Sequence, residues 1–112
     1  MNFEIADRAD GVSLIKVSGR MDVQGALASD KEFNTIAEEK MNVIVDFSQV
    51  DFLASLGIRT LIVTCKALAA KGGELVLLNP QANVEKVLKS SGVDTVIPIA
   101  HSLDDALAVL KK

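Results

Sequence analysis

The run Val43-Ile44-Val45-Asp46-Phe47-Ser48-Gln49-Val50-Asp51-Phe52-Leu53-Ala54-Ser55-Leu56-Gly57-Ile58-Arg59 decides how the rest of the chain is read. Its first residues are β-branched and apolar at both parities, the pattern of a central strand covered on both faces, here expected over Asn42 to Phe47. A short loop should follow, and then a helix opening at Ser55, whose hydroxyl is expected to act as the N-cap. Gly57, two residues on, leaves room for close approach by another molecule.

Downstream, Ile58, Leu61, Ile62, Cys65, Leu68 and Ala69 recur at three- and four-residue spacing, which predicts a core-facing helix ending at Lys71-Gly72-Gly73. Ser55, Arg59, Val63 and Lys66 fall on its opposite, exposed stripe. Leu75 to Leu78 reads as the next strand, and Asn79-Pro80 as the start of a helix with its apolar face at Val84, Val87 and Leu88. Thr95 to Ile97 reads as a short strand stopped at Pro98. Ser102 with Asp105 three residues later marks a capping-box start for a last helix carrying Leu103, Ala106, Leu107 and Leu110, with Lys111 and Lys112 at its negative end.

Upstream, Phe3 and Ile5 alternate with polar residues, and Val12, Leu14, Ile15 and Val17 follow the turn signal Asp10-Gly11, so residues 2 to 18 predict a hairpin. Ser18 to Asp22 reads as a loop, with Asp22 capping a helix from about Val23 to Lys40 whose stripe is Leu27, Phe33, Ile36 and Ala37. The order ββαβαβαβα predicts a single α/β domain over residues 1–112. Its sheet is mixed and mostly parallel, with an N-terminal hairpin and about four flanking helices.

Bulk properties narrow the function. The 112 residues are 49% apolar with few aromatics, enough for one core of Leu, Val, Ile and Ala. A net charge of −3 with mixed signs gives no footprint for nucleic acid or an anionic membrane. Met1 to Asp10 contains acids and no apolar run, so neither a signal peptide nor an anchor is expected there, and no segment suggests a bilayer span. One cysteine, Cys65, fits a reducing compartment, and a cytoplasmic location is the expectation.

Ligands of open α/β sheets gather where strands end and helices begin, which singles out the loops at Gly19 to Asp22 and at Asp46 to Ser55. A phosphate on Ser55 would face the positive end of its helix. An ordinary capping serine is the commoner occupant of such a position. Asp46 reads as a loop-capping carboxylate, Cys65 as a packed thiol, and His101, the lone histidine, as a surface residue. Ser55 has no apparent activating base. With no Walker loop, GxGxxG or Cys/His cluster, no catalytic residues, metal or cofactor are expected, and the chain reads as a protein acted upon.

Asp46 to Arg59, together with Gly19-Arg20-Met21-Asp22, resembles the paired motifs of the STAS domain, and in particular of the bacterial anti-sigma factor antagonists. The resemblance covers the whole chain. It implies a STAS-like fold and a partner-switching role, in which an anti-sigma factor with serine kinase activity phosphorylates the serine at the helix start, here Ser55, and a serine phosphatase reverses it. Asp22, Ala54, Ser55, Leu56, Gly57, Arg59 and Val63 are then the implied partner-binding positions. Many members have Asp before that serine and a second Ser after it, where this chain has Ala54 and Leu56. The competing expectation is a non-phosphorylated STAS module serving as a scaffold or a subunit of a transport assembly.

Overall fold

The computed structural model describes residues 1–110. The element order is β1 (Asn2–Asp7), β2 (Val12–Met21), α1 (Val23–Glu39), β3 (Asn42–Leu53), α2 (Ser55–Ala70), β4 (Glu74–Leu78), α3 (Ala82–Ser90), a 3-10 turn (Val93–Thr95), β5 (Ile99–Ala100) and α4 (Leu103–Leu110). The described residues form one sheet ordered β1-β2-β3-β4-β5, antiparallel at the β1–β2 hairpin and parallel elsewhere. The expected mixed α/β architecture is therefore observed. The expectation for Lys111 and Lys112 lies outside the described residues.

Two apolar layers hold the sheet. On one face, Ile15, Val17, Val43, Val45, Leu75 and Leu77 pack against Phe33 and Ile36 of α1, Leu61 and Leu68 of α2, and Val84 and Leu88 of α3. On the other, Val12, Ile44, Val76 and Leu78 meet Ala106 of α4. Strands β3 and β4 are thus sandwiched, which is why Val43 to Val45 and Leu75 to Leu78 are continuously apolar. Each fully buried aliphatic side chain among them contributes about 1.5–3 kcal/mol by leaving water. Phe3 closes the hairpin side of the larger layer, its ring edge-on to Phe33 at 5.3 Å.

Several boundaries differ from expectation. Strand β3 continues to Leu53 instead of ending at Phe47, and β2 continues to Met21, so Ser18 to Met21 is strand rather than loop. The two extensions pair with each other, from Ser18 opposite Gln49 to Met21 opposite Leu53, with irregularities between Lys16 and Ser18 and between Gly19 and Arg20. Bulges of this kind break the two-residue alternation, so the buried residues Phe47, Val50 and Leu53 recur every three positions and resemble no strand.

Residues Thr95 to Ile97 are not a strand. Val93 to Thr95 turn on themselves, with Val96 N and Ile97 N both donating to Val93 O, and the strand follows at Ile99. Pro98 leads into that strand instead of stopping it, because its carbonyl accepts from Leu77 N at 2.9 Å. Pro80 precedes the Gln81 cap of α3 and does not occupy its first turn. Within α2, Leu61 and Leu68 are buried as expected, but Thr60 and Thr64 share that face. Ile58, Ile62 and Cys65 are half-buried and Ala69 is exposed.

Helix α1 starts where β2 ends, and its fit is tight. A Cβ on Gly25 would collide with the carbonyl oxygen of Arg20. Gly25→Ala should therefore lower stability by about 1–3 kcal/mol, although alanine is favoured by about 1 kcal/mol in a helix. Urea unfolding checks this, and a more stable variant would mean that the β2–α1 junction is loose.

Candidate functional site

The site is built by two parallel strands ending together. Met21 and Leu53 are register partners, and Ala54 N donates to Met21 O at 2.9 Å. The next residues, Asp22 and Ser55, leave the sheet side by side and start α1 and α2. The structure thus brings together two positions that lie 33 residues apart in sequence.

Asp22 is the N-cap of α1, as expected: its Oδ1 accepts from Gly25 N at 2.8 Å. Ser55 is not the N-cap of α2. Because β3 runs to Leu53, Ala54 is the one extended residue before the helix, and it fills the cap position without a side-chain hydrogen bond. The first intrahelical bond runs from Ile58 N to Ala54 O at 3.1 Å. Ser55 is therefore the first helical residue. Its side chain is exposed and not used for capping, and the N–H groups of Ser55, Leu56 and Gly57 lie ahead of the helical ladder.

Gly57 is buried, which corrects the expectation that it admits another molecule. A Cβ there would stand 2.8 Å from Leu53 Cδ1 and 2.9 Å from Met21 Cγ, so the space belongs to the protein's own core. Leu56 is half-buried and packs against the larger apolar layer. Arg59, Val63 and Lys66 are exposed together with Ser55, as their spacing implies.

Between α1 and α2 lies an open groove of about 360 Å³, lined by Leu27, Asp30, Leu56, Arg59, Thr60 and Val63 among others. Leu27 was expected in the core of α1, yet it is 58% exposed and Val63 is 50% exposed. Ala26 takes the inward position in that first turn, while Phe33, Ile36 and Ala37 are buried as expected. Thr60 Oγ1 donates to Asp30 Oδ1 at 3.1 Å and ties the groove's walls together.

Two further residues at this end of the sheet carry no local signal in the sequence. Arg20 lies over the ring of Phe52, 4.1 Å from its centroid, and its Nε is 3.4 Å from Asp22 Oδ2. Their proximity follows from Arg20 and Phe52 being register partners, which is invisible until both strand extensions are known.

The remaining candidates have structural employment. Asp46 Oδ1 accepts from Ser48 N at 2.9 Å, though within β3 and not at its end. The Cys65 thiol is half-buried, and burial raises its pKa, followed by the charge of Glu74. His101 is exposed and meets Glu85 at 2.9 Å; that contact, then Lys89, holds the Glu85 carboxyl below its ordinary range. Among the described residues, no cluster of three or more His, Cys, Asp or Glu could hold a metal, and no helix is long and apolar enough to cross a membrane.

Comparison with known proteins agrees with this fold. A family model described as STAS domain matches residues 5–106. BtrV of Bordetella bronchiseptica, whose name carries a provisional assignment as an anti-sigma factor antagonist, is 27% identical over 106 residues, covering 94% of this chain and 91% of BtrV. The crystal structure of an anti-sigma factor antagonist from Mycobacterium paratuberculosis superposes with a TM-score of 0.85 at 27% identity, covering 99% of this chain and 94% of that one. The Bacillus cell fate determinant SpoIIAA in its phosphorylated form shares the fold, with a TM-score of 0.70 at 20% identity over 96% of this chain and 97% of its own.

Gly57→Ala tests the packing at the junction. It should destabilise the domain by about 1–3 kcal/mol in thermal or urea unfolding, because Met21 and Leu53 must both shift. Full stability would show that the first turn of α2 sits less closely on the sheet than these distances require.

Proposed function

Because the chain belongs to the STAS domain family, we propose that it is an anti-sigma factor antagonist switched by phosphorylation of Ser55. Unphosphorylated, it binds an anti-sigma factor that has serine kinase activity and thereby frees the sigma factor. The kinase then transfers the γ-phosphoryl group of ATP to Ser55: an Oγ–P bond forms, the bond to the leaving ADP breaks, and the hydroxyl proton passes to a base of the kinase. A serine phosphatase reverses the modification.

One observation carries this reading. Ser55 stands exposed at the first position of α2, with no capping duty, and the residue after it, Leu56, lines the open groove between α1 and α2. Its hydroxyl is available to another protein's active site, and a phosphate placed there would face the positive end of the helix. The relatives' names support the antagonist role, and SpoIIAA, which shares the fold, is known in a phosphorylated form. Asp22, Ala54, Leu56, Arg59 and Val63 flank Ser55 as contact residues, while buried Gly57 acts by holding the turn in place.

The physics of the switch lies in the complex. A phosphate adds about −1.5 to −2 charges, and in a close interface it must lose water and meet whatever acids the partner presents. A penalty of about 3–4 kcal/mol would weaken binding several hundredfold. The isolated domain should scarcely notice.

A second reading has its own support in Ala54, which brings no polar side chain to the cap and so offers none to a kinase. On that reading the same surface serves an unmodified STAS module, a scaffold or a subunit of a transport assembly. Intact mass after incubation with the candidate kinase and ATP separates the two, since only the switch gains one phosphate.

Ser55→Ala should keep partner binding, lose all label transferred from ATP, and change stability by less than about 0.5 kcal/mol. Label persisting in that variant would remove Ser55 as the acceptor. Ser55→Asp should weaken the complex at least tenfold in a titration by calorimetry without lowering the thermal midpoint. Unchanged affinity would count against an electrostatic switch.

A further inference from the structure

The residues around Ser55 include a cation whose position neither folding nor the proposed switch has yet explained. Arg20 is exposed, yet it is held on two sides, by the Phe52 ring at 4.1 Å and by Asp22 Oδ2 at 3.4 Å from its Nε. Stacking on an aromatic face restrains a guanidinium without using its donors. Asp22 is approached through Nε, so the terminal amino groups of the fork are not what this contact uses and can serve a second anion.

The register says where that anion would be. Neighbouring strands lie about 4.8 Å apart, and the chains at Met21 and Ala54 are bonded directly, so Asp22, which Arg20 already meets, and Ser55 each follow one partner of that bond. We propose that Arg20 is the built-in counter-cation of phosphorylated Ser55, its guanidinium bridging the new phosphate and the Asp22 carboxylate. This rests on Ser55 being the modified residue.

The bridge answers a specific electrostatic problem. Phosphorylation would set a second anion beside Asp22, whose carboxylate is needed as the cap of α1. Like charges at that separation either keep the phosphate singly ionised or pull the cap away. A planar cation between them allows both to stay charged and in place. Arg59, the other arginine near Ser55, lines the groove between α1 and α2 and so presents its charge toward the partner.

The test needs no kinase. Phosphoserine is installed at position 55 by genetic encoding, and the second ionisation of its phosphate is followed by phosphorus-31 NMR against pH. With Arg20 in place, that ionisation should lie below the value of about 6 usual for phosphoserine. Arg20→Gln should raise it by about 0.5 pH unit, the size expected for losing one unit charge at contact in a solvated site. Arg20→Lys should recover most of the lowering, and Phe52→Leu should lose part of it by freeing the guanidinium. An unaltered titration in Arg20→Gln overturns the proposal, and so does a shift confined to Arg59→Gln, which would move the role to Arg59. Because the phosphate is placed chemically, these results stand apart from whether a kinase modifies Ser55, which the label experiment decides.

Discussion

The hydrogen bond from Ala54 N to Met21 O joins the ends of the two central strands, and the site depends on it. It fixes Met21 beside Leu53, and those two side chains fill the space that Gly57 leaves open beneath the first turn of α2. From the same pair, α1 starts at the Asp22 cap and α2 starts at Ser55. Two helix N-termini are thereby held at one end of the sheet, with their walls tied further along by Thr60 and Asp30. The surface proposed to meet a partner is therefore tied together at its centre, and Leu27, Arg59 and Val63 line it as exposed side chains.

The mixed sheet, the hairpin and the flanking helices could be read from hydrophobic periodicity, because Val43 to Val45, Leu75 to Leu78 and the stripe through Leu61 and Leu68 are strong signals. The extended halves of β2 and β3 could not. Bulges displace the inward residues from a two-residue to a three-residue rhythm, and Ser48, Gln49 and Asp51 look like loop chemistry. The position of the cap depends on those extended halves: a strand ending at Phe47 puts Ser55 at the cap, whereas one ending at Leu53 puts Ala54 there. The pairing of Arg20 with Phe52 was hidden for the same reason. Ile99 and Ala100 escaped because a two-residue strand has no period at all.

The candidacy of Ser55 is legible from position, and the identity of its neighbours only from topology. Asp22 was found because a capping aspartate before a helix has a local signature. Arg20 and Leu27 have none, since an exposed arginine and an exposed leucine are each unremarkable until a second strand or helix is laid beside them. Gly57 shows the opposite error, where a glycine read as an opening for another molecule is filled by the protein's own methionine and leucine.

The placement of Ser55 one residue inside its helix has an evolutionary consequence. A capping serine contributes to folding, so losing it has a structural cost; a serine in the first helical turn that takes no part in capping is structurally idle. Replacement there would leave the frame, the groove and the Asp22 cap as they are. Under the proposed switch, a lineage could thus trade a reversible binder for a permanently engaged one, or the reverse, through a single codon and without passing through an unstable intermediate.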